Sequence, residues 1–243
     1  MKAGCRVKIC GITNRADAEM AAGEGADYAG VVIEVSYSPR SQKLESASPL
    51  FESAPAPVVA LVHEMPEARL SDLVTRLRPF AVQFLSPDGV AQADRLKKIM
   101  PGLQIWQSLF LPAAGESEAE FDPGVMIGQI GRCREFGVDA VVLDTAAVLK
   151  GVMRMGGTGR TGRWDYAAMV VAASPLPAFL AGGIRPENVR EAIMTVKPYG
   201  IDLSSGVEIA TGKKSQARLK ALMDELKAAV AHDKGDVWYR DMK

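Results

Sequence analysis

Histidine and cysteine are scarce in this chain, with two of the first and three of the second among 243 residues. His63 and His232 stand far apart, and Cys5, Cys10 and Cys133 form no C-x-x-C pair. Neither a metal site nor a disulfide framework is expected from such spacing. Long apolar runs are missing too: segments such as Ala29 to Ile33 and Ala140 to Leu143 fall far short of the roughly 20 residues that cross a bilayer. No excess of either charge exists, since Lys plus Arg and Asp plus Glu both number 29 and the basic residues are scattered. That balance argues against a nucleic-acid surface. The start, Met1 to Cys5, leads into no apolar stretch of the signal-peptide kind, so the cytoplasm is the expected location.

What the chain does contain is 48% hydrophobic residues in a length close to the roughly 250 typical of a TIM barrel. Short β-branched runs alternate with stretches of helical period, the pattern of βα units around a parallel sheet. Eight strands are predicted, at Val7 to Cys10, Tyr28 to Ile33, Val58 to Val62, Ala81 to Phe84, Gln104 to Phe110, Ala140 to Asp144, Ala178 to Ala181 and Gly200 to Leu203. Helices are predicted between and after them, at Arg15 to Gly23, Leu44 to Ser53, Pro66 to Leu77, Gly89 to Ile99, Val125 to Phe136, Tyr166 to Ala173, Pro186 to Val196 and Gln216 to Ala231. Eight such units favour a closed (β/α)8 barrel over an open doubly wound sheet. Residues 1–231 would form it, followed by a C-terminal tail, 232–243. Pro112 to Gly124 and Ala146 to Thr161 read as loops longer than a minimal barrel needs.

A barrel of this kind builds its active site at the C-terminal strand ends and often holds phosphate on the loops after strands seven and eight. Gly182 and Gly183 follow the seventh predicted strand, and Ser204, Ser205 and Gly206 follow the eighth. Glycine lets backbone N–H groups approach an anion, so these loops form a candidate phosphate cradle. Gly157, Thr158 and Gly159, beyond strand six, add donors to it; their segment lacks the spacing and terminal Lys of a nucleotide-binding P-loop.

On the first strand, period two puts Lys8 and Cys10 on one face and Val7 and Ile9 on the other. Lys8 therefore points into the barrel, where its ammonium is expected to lower the thiol pKa of Cys10 from about 8.5 toward a thiolate able to take a proton. On strand six an apolar run ends in Asp144, a carboxyl group costly to bury without a purpose. A thiol base and a carboxylic acid across one mouth would suit proton transfer without a cofactor.

The chain resembles the phosphoribosylanthranilate isomerase family. The resemblance rests on Lys8-Ile9-Cys10-Gly11-Ile12-Thr13, Ser38-Pro39-Arg40, Leu143-Asp144, Gly156-Gly157-Thr158-Gly159-Arg160-Thr161, Ala181-Gly182-Gly183 with Pro186-Glu187-Asn188-Val189, and Asp202-Leu203-Ser204-Ser205-Gly206-Val207-Glu208. It implies an Amadori rearrangement of N-(5-phosphoribosyl)anthranilate, with Asp144 as general acid and Cys10 as general base. By the same resemblance Arg40 lies near the anthranilate carboxylate, and Lys8, Gln83 and Asp202 line the substrate site. The implied partner is a small sugar phosphate, and the chain acts as monomer or homodimer. Family members usually carry Gln-Leu-His-Gly at the end of strand four, where this chain reads Gln83-Phe84-Leu85-Ser86, and Arg160 stands where a Lys is usual. Two rival readings remain: a related barrel acting on another sugar phosphate, and a paralogue that binds a phosphorylated ligand without turning it over.

Overall fold

Strands rich in Val, Ile and Leu and buried on both faces are what a helix-covered parallel sheet requires. The eight runs become β1 (Arg6–Ile9), β2 (Tyr28–Val32), β3 (Val58–Val62), β4 (Ala81–Phe84), β5 (Gln104–Pro112), β6 (Ala140–Leu149), β8 (Ala178–Leu180) and β9 (Gly200–Leu203), with β7 (Val152–Met155) lying outside the ring. The computed structural model describes residues 4–52, 54–87, 89–113, 121–149, 152–155 and 161–232. The eight are parallel and run β1, β2, β3, β4, β5, β6, β8, β9 around the ring, with β9 pairing back on β1. The sheet is therefore a closed barrel, as the alternation of runs predicts.

Seven α-helices surround it among the described residues: α1 (Arg15–Glu24), α2 (Glu67–Leu77), α3 (Gly89–Ile99), α4 (Pro123–Glu135), α5 (Trp164–Ala173), α6 (Val189–Val196) and α7 (Gln216–His232). Local chemistry sets several ends. The Asn14 side chain accepts the Asp17 N–H at 2.9 Å to cap α1, and Gly25, at φ 113°, closes it in the left-handed region that glycine tolerates. Asp122 caps α4 ahead of Pro123.

Three expectations are corrected. The helix expected over Leu44 to Ser53 is instead two 3-10 turns, Leu44–Ser46 and Ser48–Leu50, with Ser53 outside the described residues. Pro49 offers no N–H to a longer helix, and the Ser46 hydroxyl competes by bonding the Lys43 carbonyl at 3.3 Å. The segment after Asp144, expected to be loop, continues as strand: β6 runs on to Leu149 and folds back antiparallel onto β7, with Leu149 opposite Val152. Pro112, expected to open a loop, still belongs to β5, and Pro123 already starts α4, while 114–120 lie outside the described residues. His232 completes α7, and the remainder of the tail, 233–243, is likewise outside them. A short antiparallel pair that the sequence reading missed, β10 (Glu208–Ala210) and β11 (Lys213–Lys214), precedes α7.

Alternation along each strand divides the core in two. Ile9, Val31, Val62, Ile105, Val141 and Ile201 face the helices, whereas Val59, Leu61, Trp106, Val142 and Phe179 fill the barrel. Near the strand starts the filling is aromatic: Trp106 stacks on Phe179 at 4.7 Å and Tyr28 meets Trp106 edge-on at 5.3 Å. Gly200 makes room for this plug, since a Cβ there would lie 2.4 Å from the Phe179 ring. With that end closed, the barrel is polar farther along, where Lys8, Gln83, Ser108 and Asp202 are buried.

Candidate active site

Lys8 is wholly buried and points inward as period two requires; its Nζ lies 2.7 Å from Asp202 Oδ2 on the neighbouring β9. Burial pulls the ammonium pKa down, but Asp202 and Cys10 outweigh it, so the net shift is upward and Lys8 stays charged. Two residues on, Cys10 shares the inward face, with 9% of its surface open at the end of the strand. Gly30 of β2 is the reason the two fit: a Cβ there would sit 3.1 Å from Cys10 Sγ and from Lys8 Cε.

The thiol behaves differently from the sequence expectation. Burial raises the Cys10 pKa and prevails over the lowering by Lys8 and Lys214, with Asp202 and Asp144 adding to the rise. An ammonium close by does not yield a thiolate at neutral pH when its own charge is already matched by Asp202. The thiol thus stands above its ordinary value.

A second set of charges surrounds the backbone of Cys10. Lys214, with none of its side chain exposed, donates to the Cys10 carbonyl at 2.6 Å, to Glu208 Oε1 at 2.8 Å and to the Ser204 carbonyl at 3.3 Å. Arg40 grips the same Glu208 with two bonds, Nε to Oε1 at 2.8 Å and Nη2 to Oε2 at 2.6 Å. Glu208 is held below the usual carboxylate range: burial raises it, and the two cations overcome that. Lys214 is pushed down, by burial first. Two cations around one carboxylate leave one net positive charge beside Cys10. Gly11, at φ 70°, permits the crossing, because a Cβ there would meet Arg40 Cδ at 2.4 Å and Ser204 Oγ at 2.7 Å. Sequence reasoning missed Glu208 and Lys214 as site residues; the β10–β11 turn that brings Lys214 back under Cys10 has no strong local signal.

Asp144 occupies the inward position after Val142, at the mouth end of β6, and is half-buried. Its Oδ1 accepts the N–H of Thr145 at 2.7 Å. Phe110 stands opposite it in the β5–β6 register. The charge of Asp144 bears on the Cys10 thiol, and β1 and β6 are separated in the ring by β8 and β9. The expected acid and base therefore share one mouth.

Gln83 is 2% exposed and donates to Ser108 Oγ at 3.0 Å inside the barrel. Lys8 and Gln83, both expected in the substrate site, are buried inside the barrel. Asp202 is 8% exposed, with Oδ1 buried and unpaired among the described residues, as are Ser204 Oγ and Thr145 Oγ1. Buried polar atoms of this kind are rare unless a ligand or water completes them.

Gly182 and Gly183 take successive positive φ values of 84° and 61°, and Asn188 braces that turn by donating to the Gly183 carbonyl at 3.1 Å while accepting the Arg185 N–H at 2.9 Å. Gly206 packs so closely on the same turn that a Cβ would lie 2.0 Å from the Ile184 carbonyl oxygen. The glycines expected to cradle an anion are thus interlocked, and only glycine fits at Gly182 and Gly206. Gly157, Thr158 and Gly159 lie outside the described residues. Among the described residues no cluster of His, Cys, Asp and Glu could hold a metal ion, and no helix is long and apolar enough to cross a membrane.

Comparison with known proteins agrees with this geometry. The family model described as N-(5'phosphoribosyl)anthranilate (PRA) isomerase matches residues 7–225. N-(5'-phosphoribosyl)anthranilate isomerase 1 of Methanosarcina mazei is 36% identical over 233 residues, covering 93% of this chain and 96% of its own. Among solved structures, the N-(5'-phosphoribosyl)anthranilate isomerase of Pyrococcus furiosus superposes with TM-score 0.74 at 27% identity, over 92% of this chain and 99% of the other. A phosphoribosyl anthranilate isomerase solved in complex with reduced 1-(o-carboxyphenylamino)-1-deoxyribulose 5-phosphate superposes with TM-score 0.68 at 27% identity, over 92% and 99%. A match this long, over a barrel whose mouth gathers Cys10, Asp144 and the interlocked glycines, places the chain in the phosphoribosylanthranilate isomerase family.

Proposed function

We propose that Cys10 and Asp144 divide between them the proton transfers of an Amadori rearrangement, in which N-(5'-phosphoribosyl)anthranilate becomes 1-(o-carboxyphenylamino)-1-deoxyribulose 5-phosphate. Asp144 gives its proton to the ring oxygen of the ribose. The C1–O bond breaks, the nitrogen lone pair forms a C1=N bond, and the sugar opens to a protonated Schiff base. Cys10, as thiolate, then removes the proton from C2, and the electrons of that C–H bond form C1=C2 as the C=N electrons return to nitrogen. The enolamine so formed tautomerises to the ketone. General acid–base assistance of this kind contributes about 10²- to 10⁴-fold per group.

The remaining residues support those two. Lys8, paired with Asp202, stabilises the thiolate from below, and Lys214 fixes the carbonyl of Cys10 and so the direction of its side chain. Glu208 occupies two of the five N–H groups of Arg40, leaving the others for the planar anthranilate carboxylate. The phosphate rests on Gly182, Gly183, Ser204, Ser205 and Gly206, with Gly157, Thr158 and Gly159 completing the cradle by family resemblance. Asp202 Oδ1, Ser204 Oγ and Thr145 Oγ1 are buried polar atoms without a partner among the described residues, and Thr145 Oγ1 adjoins Gly182.

The observation that carries the assignment is the placement of one thiol and one carboxyl group at inward positions on the mouth ends of β1 and β6, each within electrostatic reach of the other. Its test is conversion of N-(5'-phosphoribosyl)anthranilate by the purified protein, followed by the appearance of a ketone carbon in 13C NMR. Turnover is expected. An unchanged substrate, with phosphate still bound by the protein, would favour the reading as a non-catalytic paralogue.

A further inference from the structure

The loop after β2 carries more than Arg40. It is stapled to the barrel by Ser38 N to the Val35 carbonyl at 3.0 Å, Val35 N to Ser41 Oγ at 2.9 Å and Gln42 N to the Val32 carbonyl at 2.8 Å. Three residues before Arg40 stands Tyr37, which is 49% exposed although its ring is large and apolar. The ring is not loose: it meets the His63 ring edge-on, centroids 5.1 Å apart at 87°. His63 directly follows Val62, the last residue of β3, and so stands at the mouth end of that strand. The ring contact therefore holds Tyr37 beside the mouth end of β3. The hydroxyl of Tyr37 titrates above its usual range, through burial first and then the charges of Glu64 and Asp144.

We propose that Tyr37 and His63 form the wall on which the aryl ring of the substrate rests, and so determine specificity for an aromatic amine. This builds on the isomerase reading above. The stapled loop offers the two groups that an o-carboxyphenyl unit requires, a guanidinium for the carboxylate and an aromatic face or edge for the ring, at a fixed spacing of three residues. His63 backs Tyr37 and keeps its ring from swinging into solvent. A ring contact of this type is a binding interaction present in substrate and transition state alike, so its loss falls on KM and leaves kcat largely in place.

The experiment compares wild type, Tyr37→Ala, Tyr37→Phe and His63→Ala by steady-state kinetics with N-(5'-phosphoribosyl)anthranilate, by binding of reduced 1-(o-carboxyphenylamino)-1-deoxyribulose 5-phosphate, and by binding of inorganic phosphate, which has no ring. Tyr37→Ala is expected to raise KM and the Kd of the reduced analogue roughly tenfold, the scale of an aromatic contact with its buried area. His63→Ala should raise both by about threefold, and Tyr37→Phe should restore them. Phosphate affinity should be the same in all four proteins, which also shows that each variant is folded. Unchanged KM and analogue affinity in Tyr37→Ala, or an equal weakening of phosphate, would overturn the proposal. So would a Tyr37→Phe variant as weak as Tyr37→Ala, because it would transfer the effect to the hydroxyl. Failure of the isomerase reading is separate: in that case wild type itself would not convert the substrate.

Discussion

Cys10 and Asp144 face the same opening at different depths of burial. On the β1 side the thiol is enclosed by Lys8, Asp202, Lys214, Glu208 and Arg40, linked by hydrogen bonds of 2.6 to 2.8 Å. On the β6 side the carboxyl group is half-buried and accepts a backbone N–H at the foot of a hairpin that continues beyond the barrel. The chemistry accounts for the contrast. A thiol asked to ionise inside a barrel needs cations fixed beside it, while the Asp144 carboxyl group keeps part of its surface open at the mouth. Even with those cations, burial wins at Cys10 and its pKa stays above the ordinary thiol value.

That contrast can be broken or sharpened by substitution on either side. The largest effect expected is on the acid: Asp144→Asn should lower kcat by about 10²- to 10⁴-fold in initial-rate assays, with phosphate affinity retained. On the base side, Glu208→Gln leaves the buried ammonium of Lys214 without its carboxylate. Denaturant unfolding should register a loss of about 3–5 kcal/mol, partly regained in the Glu208→Gln/Lys214→Met double variant, where neither charge remains for the other to answer. If the single variant were as stable as wild type, the charge network would not be what positions Cys10. Gly30→Ala is next, at roughly 1–3 kcal/mol, because the new methyl group crowds Cys10 Sγ and Lys8 Cε at 3.1 Å and the strand must give way.

The smallest effect is a slope. The reactive form of Cys10 is the thiolate and its pKa is raised, so at neutral pH most molecules hold the inactive thiol. Raising pH therefore increases the thiolate fraction: the rate at which iodoacetamide alkylates Cys10, read against Cys10→Ala as blank, should climb about tenfold per pH unit from pH 7 and continue past about 8.5, the ordinary thiol value. A plateau already reached at pH 7 would mean that the cations around Cys10 outweigh its burial after all.

Much of this was legible in the sequence because the barrel repeats one simple pattern. The boundaries of Val58–Val62, Ala81–Phe84 and Gly200–Leu203 coincide with those read from β-branched runs and turn residues. Period two on the first strand placed Lys8 and Cys10 together on the inner face, and the apolar run ending in Asp144 marked the mouth of the sixth. The misses have physical causes. Leu44 to Ser53 has helical spacing, but Pro49 and its neighbouring serines cut it into 3-10 turns. The β6–β7 pairing carries no Asn-Gly or Asp-Gly signature in its sequence to announce it. Lys214 lies 204 residues from the Cys10 carbonyl it holds, and only the closure of β9 onto β1 brings them together. The lowered thiol pKa expected from Lys8 failed for a related reason, since the charge that Asp202 takes from Lys8 and the depth of burial are properties of the closed barrel.

The account depends on a sulfur atom that takes the C2 proton. Its most direct test is the rate of N-(5'-phosphoribosyl)anthranilate turnover by Cys10→Ala beside wild type, with binding of the reduced product analogue measured in both. A loss of at least about a hundredfold in kcat with the analogue still bound is the result predicted. Full activity in Cys10→Ala would contradict it.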